Sequence, residues 1–419
     1  PSPNATGICT DTLLRLTFDK PVRLQKSGTI RIYNAAAPAI PVDTIDLSAN
    51  VDHPGSLTAS NIQARVIGGE TFTNHPVTIS GNVATIYPHS GVLALNQTYY
   101  VVIDSGVFTD TLGNVFPGIN DSTTWRFTTK PTGPANVTNL IVAADGSGDF
   151  CTVQGAVDFV PNGNTTPRLI NIRNGFYYEI VNVNNRHNLT FRGENRTNTI
   201  IGYDNNSTMY GTTHFRMAFK VNANDIAIDT LTITNTTPKG GSQAEALMVQ
   251  TDRKRFIAHN VTLASYQDTI LMNTSGTQCY FQDSLIQGDV DFIWGGGNAF
   301  FTNCEIKSLF GGYITQPRTA AGSNGMSFVN CRLTRVGSIS TTLGRALGNP
   351  DGNVAFINCR IDSHITGWTD ANPRVWEFGN SNLLGTAAVS YNGTKLAVNS
   401  PDLTNARNAV LWLYGWAPS

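Results

Sequence analysis

Charge is scarce in this chain. Asp, Glu, Lys and Arg make up 14% of its 419 residues, and 28 cations against 29 anions leave a net charge of −1. No basic patch stands out, and no apolar run reaches the roughly 18 residues of a membrane-spanning helix, so neither nucleic acid nor a membrane is expected as a partner. The six cysteines include no C-x-x-C pair, the seven histidines no H-x-x-x-H pair, and G-x-S-x-G is missing. Zinc-hydrolase and serine-esterase chemistry lose support accordingly, and no metal or cofactor is expected. The chain opens PSPNATG, with neither an initiator Met nor a signal peptide, and reads as a mature or trimmed form.

What is present is strand signal. From residue 1 to about 130, Leu14, Leu16 and Phe18 alternate with Arg15 and Thr17, and Ile30 and Ile32 with Arg31 and Tyr33. Period two marks half-buried strands. With further candidates at Val77 to Ile79, Val83 to Tyr87, Tyr99 to Ile103 and Trp125 to Thr128, about seven short strands predict an antiparallel β-sandwich. A Pro and Gly stretch from Lys130 to Ala135 then marks a linker over 131–138.

Beyond it a weak repeat sets in. Asn260-Val-Thr-Leu263, Asp283-Ser-Leu-Ile286, Asn303-Cys-Glu-Ile306, Asn330-Cys-Arg-Leu333 and Asn358-Cys-Arg-Ile361 start 23, 20, 27 and 28 residues apart. Such a period predicts a solenoid of parallel strands over 139–419, each coil burying its apolar face against the next. Cys304, Cys331 and Cys359 share one repeat position and should stack inside unbridged, while Cys9, Cys151 and Cys279 stay unassigned. Thr152 is placed to cap a short helix presenting Val153, Ala156, Val157 and Val160. Ser400-Pro401 should start another, with Leu403, Ala406, Val410 and Leu413 facing in over the last coils.

Two aspartates interrupt apolar, strand-forming sequence in YQDTILM and GDVDFIWG: Asp268 and Asp291. A carboxylate there must be paired, desolvated at a cost, or set at a groove. They lie 23 residues apart, about one coil, so they share a phase at roughly 4.8 Å spacing. Counting 25 back from Asp268 reaches Gln243, and two coils of 27 forward from Asp291 reach Arg345. One lateral stripe thus gathers Gln243, Gln267, Asp268, Asp291 and Arg345.

Six motifs in order, GSGDFCTVQGAVDFVP, INIRNGFYYE, GSQAEAL, YQDT, GDVDFIWG and LGR, resemble the pectin methylesterase family from about Asn139 to Ser419. LTFDKPV, LNQTYYVVID and FTDTLGNVF resemble a bacterial Ig-like domain, whose expected role is spacer or packing partner ahead of sugar binding. The resemblance implies an all-β protein, a right-handed parallel β-helix preceded by an Ig-like antiparallel β-sandwich. It also implies a secreted, extracellular protein acting as a monomer on methylesterified pectin without cofactor. Asp291 would be the nucleophile, Asp268 the acid and then the base, Arg345 the cation holding Asp291 charged, and Gln243 and Gln267 the oxyanion donors. Trp294 and Trp368 match aromatic positions and would contact sugar faces, whereas Leu271 and Leu347 stand where the family carries Tyr and Trp. Paired carboxylates also suit a β-helix glycosidase, and a lyase or a sugar-binding solenoid without catalysis completes the alternatives. Methanol release without new reducing ends or unsaturated products separates the esterase from all three.

Overall fold

The polar residue that opens each repeat forms a corner. Asn260, Asp283, Asn303, Asn330 and Asn358 have φ of 50, 51, 55, 55 and 53°. Asn and Asp enter this left-handed region at lower cost than other residues with a side chain. Each corner follows a strand of one sheet and precedes a strand of the next, which is why the motif recurs once per coil. The protein is seen here as a computed structural model describing residues 1–49, 61–209, 215–250, 255–370, 372 and 374–418. The described residues divide into two compact units, essentially 1–159 and 160–418.

The second unit consists of three parallel sheets. The first stacks Arg168–Ile172, Leu189–Gly193, Ile226–Asp229, Phe256–His259, Gln278–Gln282, Asn298–Thr302, Met326–Val329, Val354–Ile357 and Val375–Phe378, and the second begins with Gly175–Tyr178 and Thr199–Tyr203. The third, which carries the site, stacks Val181–Asn184, Phe219–Asn222, Leu247–Val249, Ile270–Met272, Ile293–Gly295, Tyr313–Pro317 and Thr342–Gly344. Strict registry lets identical residues meet between coils. Phe281, Phe301, Phe328 and Phe356 form a column with ring centroids 4.5, 4.4 and 4.7 Å apart. Cys304, Cys331 and Cys359 are buried free thiols one position past their corners.

Two short helices close the chain. Ser400 caps Pro401–Ala406 by accepting from the Leu403 amide, and Asn408 caps Ala409–Trp412 by accepting from Leu411. Leu403, Ala406 and Leu413 are buried as expected, but Val410 is exposed and Trp412 takes the inner place. The break between the helices shifts the phase that a continuous helix would have kept. Both pack on Phe300, Val329, Ala355, Ile357 and Trp376, which belong to the first sheet. Among the described residues no helix is long and apolar enough to cross a membrane.

In the first unit, a five-stranded sheet orders Ala5–Ile8, Arg126–Thr129, Thr98–Ile103, Thr29–Asn34 and Asp43–Asp46, and a three-stranded sheet orders Leu14–Thr17, Val83–Ile86 and Val77–Ser80. Pairing is antiparallel except between Ala5–Ile8 and Arg126–Thr129. Leu14, Ile30, Ile32, Ile86, Val101 and Phe127 meet in its core. Strand Asn139–Val142 and helix Val153–Phe159 also belong to this unit. Thr152 caps that helix through the Gly155 amide at 3.0 Å, and the Asp11 carboxylate accepts from the Cys151 and Thr152 amides at 3.0 and 2.8 Å.

Candidate active site

Registry in the third sheet fixes which residues lie level. Leu247 pairs with Ile270, and Ile270 with Ile293. Two positions earlier in each coil stand Glu245, Asp268 and Asp291, so three carboxyl groups follow one another on successive coils. Asp268 and Asp291 occupy left-handed backbone, with φ of 66 and 49°. The Asp268 amide donates to Val290 O at 3.0 Å, which keeps the two corners in step. This corrects the counted stripe in two places. The coil before Asp268 is 23 residues long rather than 25, which puts Glu245 level with Asp268 and Gln243 two positions away. Level with Asp291 in the next two coils are Tyr313 and Thr342, and Arg345 lies three residues further on and reaches back.

The arginines divide the carboxylates between them. Arg345 grips Asp291 as a fork, Nε to Oδ1 at 2.9 Å and Nη2 to Oδ2 at 2.6 Å, with its guanidinium 4.1 Å from the Tyr313 ring centroid. Both carboxyl oxygens accept, the arrangement of an ionised carboxylate. Arg216 instead serves two groups. Its Nε and Nη2 reach both oxygens of Glu245 at 2.8 to 3.0 Å, and Nη2 also donates to Asp268 Oδ2 at 2.7 Å. Burial raises the Glu245 carboxyl on balance, with Arg216 opposing, while the contacts from Arg216 to both of its oxygens are those made to a carboxylate. Asp268, 6% exposed, is pushed up to about 8, first by burial and then by the Glu245 charge, with Arg216 opposing. One aspartate is therefore held by its own cation, and its neighbour keeps a proton at neutral pH.

Gln243 and Gln267 flank this row half-buried. The Gln243 side-chain oxygen accepts from the Ser207 and Ser242 hydroxyls at 2.7 and 3.2 Å, which orients its amide, and the Ala244 amide donates to Gln267 O at 3.2 Å. Trp294 and Trp368 depart from the open platforms expected of them, being 4% and 5% exposed. Arg318 lies 4.5 Å over the Trp294 ring, whose coil-neighbour in register is Leu271. Trp368 packs against Phe356 at 5.9 Å and closely over Gly344, where a Cβ would lie 3.1 Å from its ring. The glycine of LGR is needed most against Thr315, whose Oγ1 and carbonyl oxygen would meet that Cβ still more closely. Leu347, by contrast, is 58% exposed at φ 51° in a turn whose flanking amides, Ala346 and Gly348, are held by Asp370.

Arg216 and Glu245 were missed by sequence reasoning, although Glu245 carries the same signal as Asp268, a carboxylate inside apolar AEALMV. Among the described residues one trio of possible metal ligands lies together, Cys9, Asp11 and Cys151. Its Asp11 oxygens are already taken by the helix cap, and the Lys130 ammonium stands 3.2 Å from the Cys9 sulfur, so a cation would meet a cation there.

The pectinesterase family model matches residues 139–375, and that of the bacterial Ig-like domain matches residues 1–129. Pectinesterase 31 of Arabidopsis thaliana is 34% identical over 243 residues, 54% of this chain and 75% of that protein. Pectinesterase 2 of Olea europaea is 32% identical over 255 residues, 58% of this chain and 67% of that protein. A solved pectin methylesterase from Yersinia enterocolitica superposes with a TM-score of 0.56 at 28% identity, covering 64% of this chain and 100% of its own. A pectin methylesterase in complex with a hexasaccharide gives 0.58 at 27% identity, covering 68% and 99%.

Proposed function

Since the chain belongs to the pectinesterase family of carbohydrate esterases, we propose that it hydrolyses the methyl esters of pectin with Asp291 as nucleophile and Asp268 as proton donor. Asp291 attacks the ester carbonyl of a methylated galacturonate. Side-chain amides of Gln243 and Gln267 donate to the oxyanion, each donor typically contributing about 3 to 4 kcal/mol to the transition state. Collapse breaks the bond to methoxide, which takes the Asp268 proton and leaves as methanol. Asp268, now ionised, removes a proton from water, whose oxygen attacks the acyl carbon and frees galacturonate and Asp291.

One observation supports this division of labour above others: the two aspartates share a level on adjacent coils, yet Asp291 has a private fork from Arg345 while Asp268 is buried beside Glu245. Unequal environments are what allow like groups to take opposite roles. Polymeric substrate also supports secretion, and the hexasaccharide complex of a relative supports an oligosaccharide groove along these coils. The test is methanol release from highly methylated pectin by the full chain. New reducing ends or unsaturated products in place of methanol would favour the glycosidase or lyase alternatives.

A further inference from the structure

Asp268 and Asp291 pose a problem of symmetry. They are the same residue, in the same left-handed corner, at the same level of neighbouring coils, and each receives an arginine. Left to these contacts alone, Arg216 would hold Asp268 ionised much as Arg345 pairs with Asp291, and no proton donor would remain. The difference lies one coil further back. Arg216 makes three contacts to Glu245 and one to Asp268, so most of its charge is met by Glu245.

We propose that Glu245, acting through Arg216, is the positioning residue that assigns the acid role to Asp268; this rests on the reading of Asp268 as proton donor. Glu245 is fully buried, and its backbone is fixed as firmly as its side chain. Its carbonyl accepts from the Ala218 amide at 3.0 Å and from the Asn235 side chain at 3.0 Å, and the Asn235 side chain also reaches Arg216 O at 3.4 Å. One amide thus ties together the backbones of both members of the pair. The charged groups around Asp268 are Glu245 from the coil behind, Arg216 from the coil behind that, Asp291 from the coil ahead and Arg318 beyond it. The two anions favour the proton and the two cations oppose it. Removing Glu245 leaves two cations against one anion and frees the whole Arg216 fork for Asp268.

The test is the pH dependence of kcat for methyl ester hydrolysis by the full chain. Glu245→Gln keeps the shape and an acceptor for Arg216 but removes the charge. Its alkaline limb should move to lower pH, and each unit of movement removes about tenfold of the protonated donor on that limb. KM should stay within about twofold, because no substrate contact is lost. Glu245→Asp, which retains the charge, should restore the limb, as should Arg216→Gln/Glu245→Gln, in which both charges are gone. A merely structural defect would lower kcat at all pH values alike. The proposal is overturned if the limb of a folded Glu245→Gln stays in place, or if the double variant shifts as far as the single one. Should Glu245→Gln fail to fold, a double variant whose limb lies well below that of the unaltered protein overturns it equally. If Asp268→Asn retains the alkaline limb, the reading of Asp268 as donor falls first and this assignment with it.

Discussion

A proton kept on a buried carboxyl costs stability once the solution would rather take it, and Asp268 makes that cost measurable. The unfolded chain releases this proton near 3.8, whereas the folded chain keeps it to about 8. Between those values the folded state binds more protons than the unfolded one, so stability falls as pH rises. Each unit corresponds to about 1.4 kcal/mol, so at pH 7 the accumulated penalty approaches about 4 kcal/mol. Asp268→Asn keeps an oxygen for the Arg216 Nη2 contact and carries no proton to defend. It should therefore be more stable than the unaltered protein at pH 7, by about 2 to 4 kcal/mol, while losing most of its turnover. The advantage should vanish near pH 4. Calorimetric melting of both proteins from pH 4 to 9 checks this, with a Tm difference of roughly 4 to 12 °C expected at neutral pH. A difference that does not vary with pH, or a variant that melts lower at pH 7, would refute the reasoning.

Arg345→Lys retains the charge beside Asp291 but loses the two-pronged grip at 2.9 and 2.6 Å. We expect kcat to fall by about 10² with little change in KM, as steady-state kinetics would show, because a point charge does not orient a carboxylate as a fork does. In the core, Phe328→Ala removes an inner ring of a column, with neighbours 4.4 and 4.7 Å away. A loss of about 3 to 5 kcal/mol in denaturant unfolding is expected, since a stacked solenoid core has little room to collapse.

The sheets were legible because their corners are chemical. Asn and Asp recur where the backbone must turn left-handed, so Asn260 to Asn358 mark the coils even though spacing varies. Some strands escaped notice for the opposite reason. In Gln63–Ile67 the polarity is inverted, with Arg65 buried and Val66 59% exposed, and alternation of apolar residues misleads. Asp268 and Asp291 stood out as carboxylates in apolar surroundings. Glu245 stands in the same surroundings but escapes a count of 25 residues per coil, because a two-residue slip in a solenoid moves a side chain off its level. Arg216 sits in a segment with no repeat signal, and only the folded chain brings it to Asp268. Trp294 and Trp368 were recognised by position, but sequence does not reveal that Arg318 and Gly344 cover their rings.

The central claim is that Asp291 attacks and Asp268 supplies a proton, and the most direct measurement separates the two with an ester whose leaving alcohol is acidic enough to depart unaided. Pre-steady-state release of that alcohol should show a burst in Asp268→Asn, followed by a slow steady rate, because acylation no longer needs the donor while deacylation still needs the base. Asp291→Asn should release none. Equal inactivity of the two variants, or rescue of Asp291→Asn instead, would contradict the assignment.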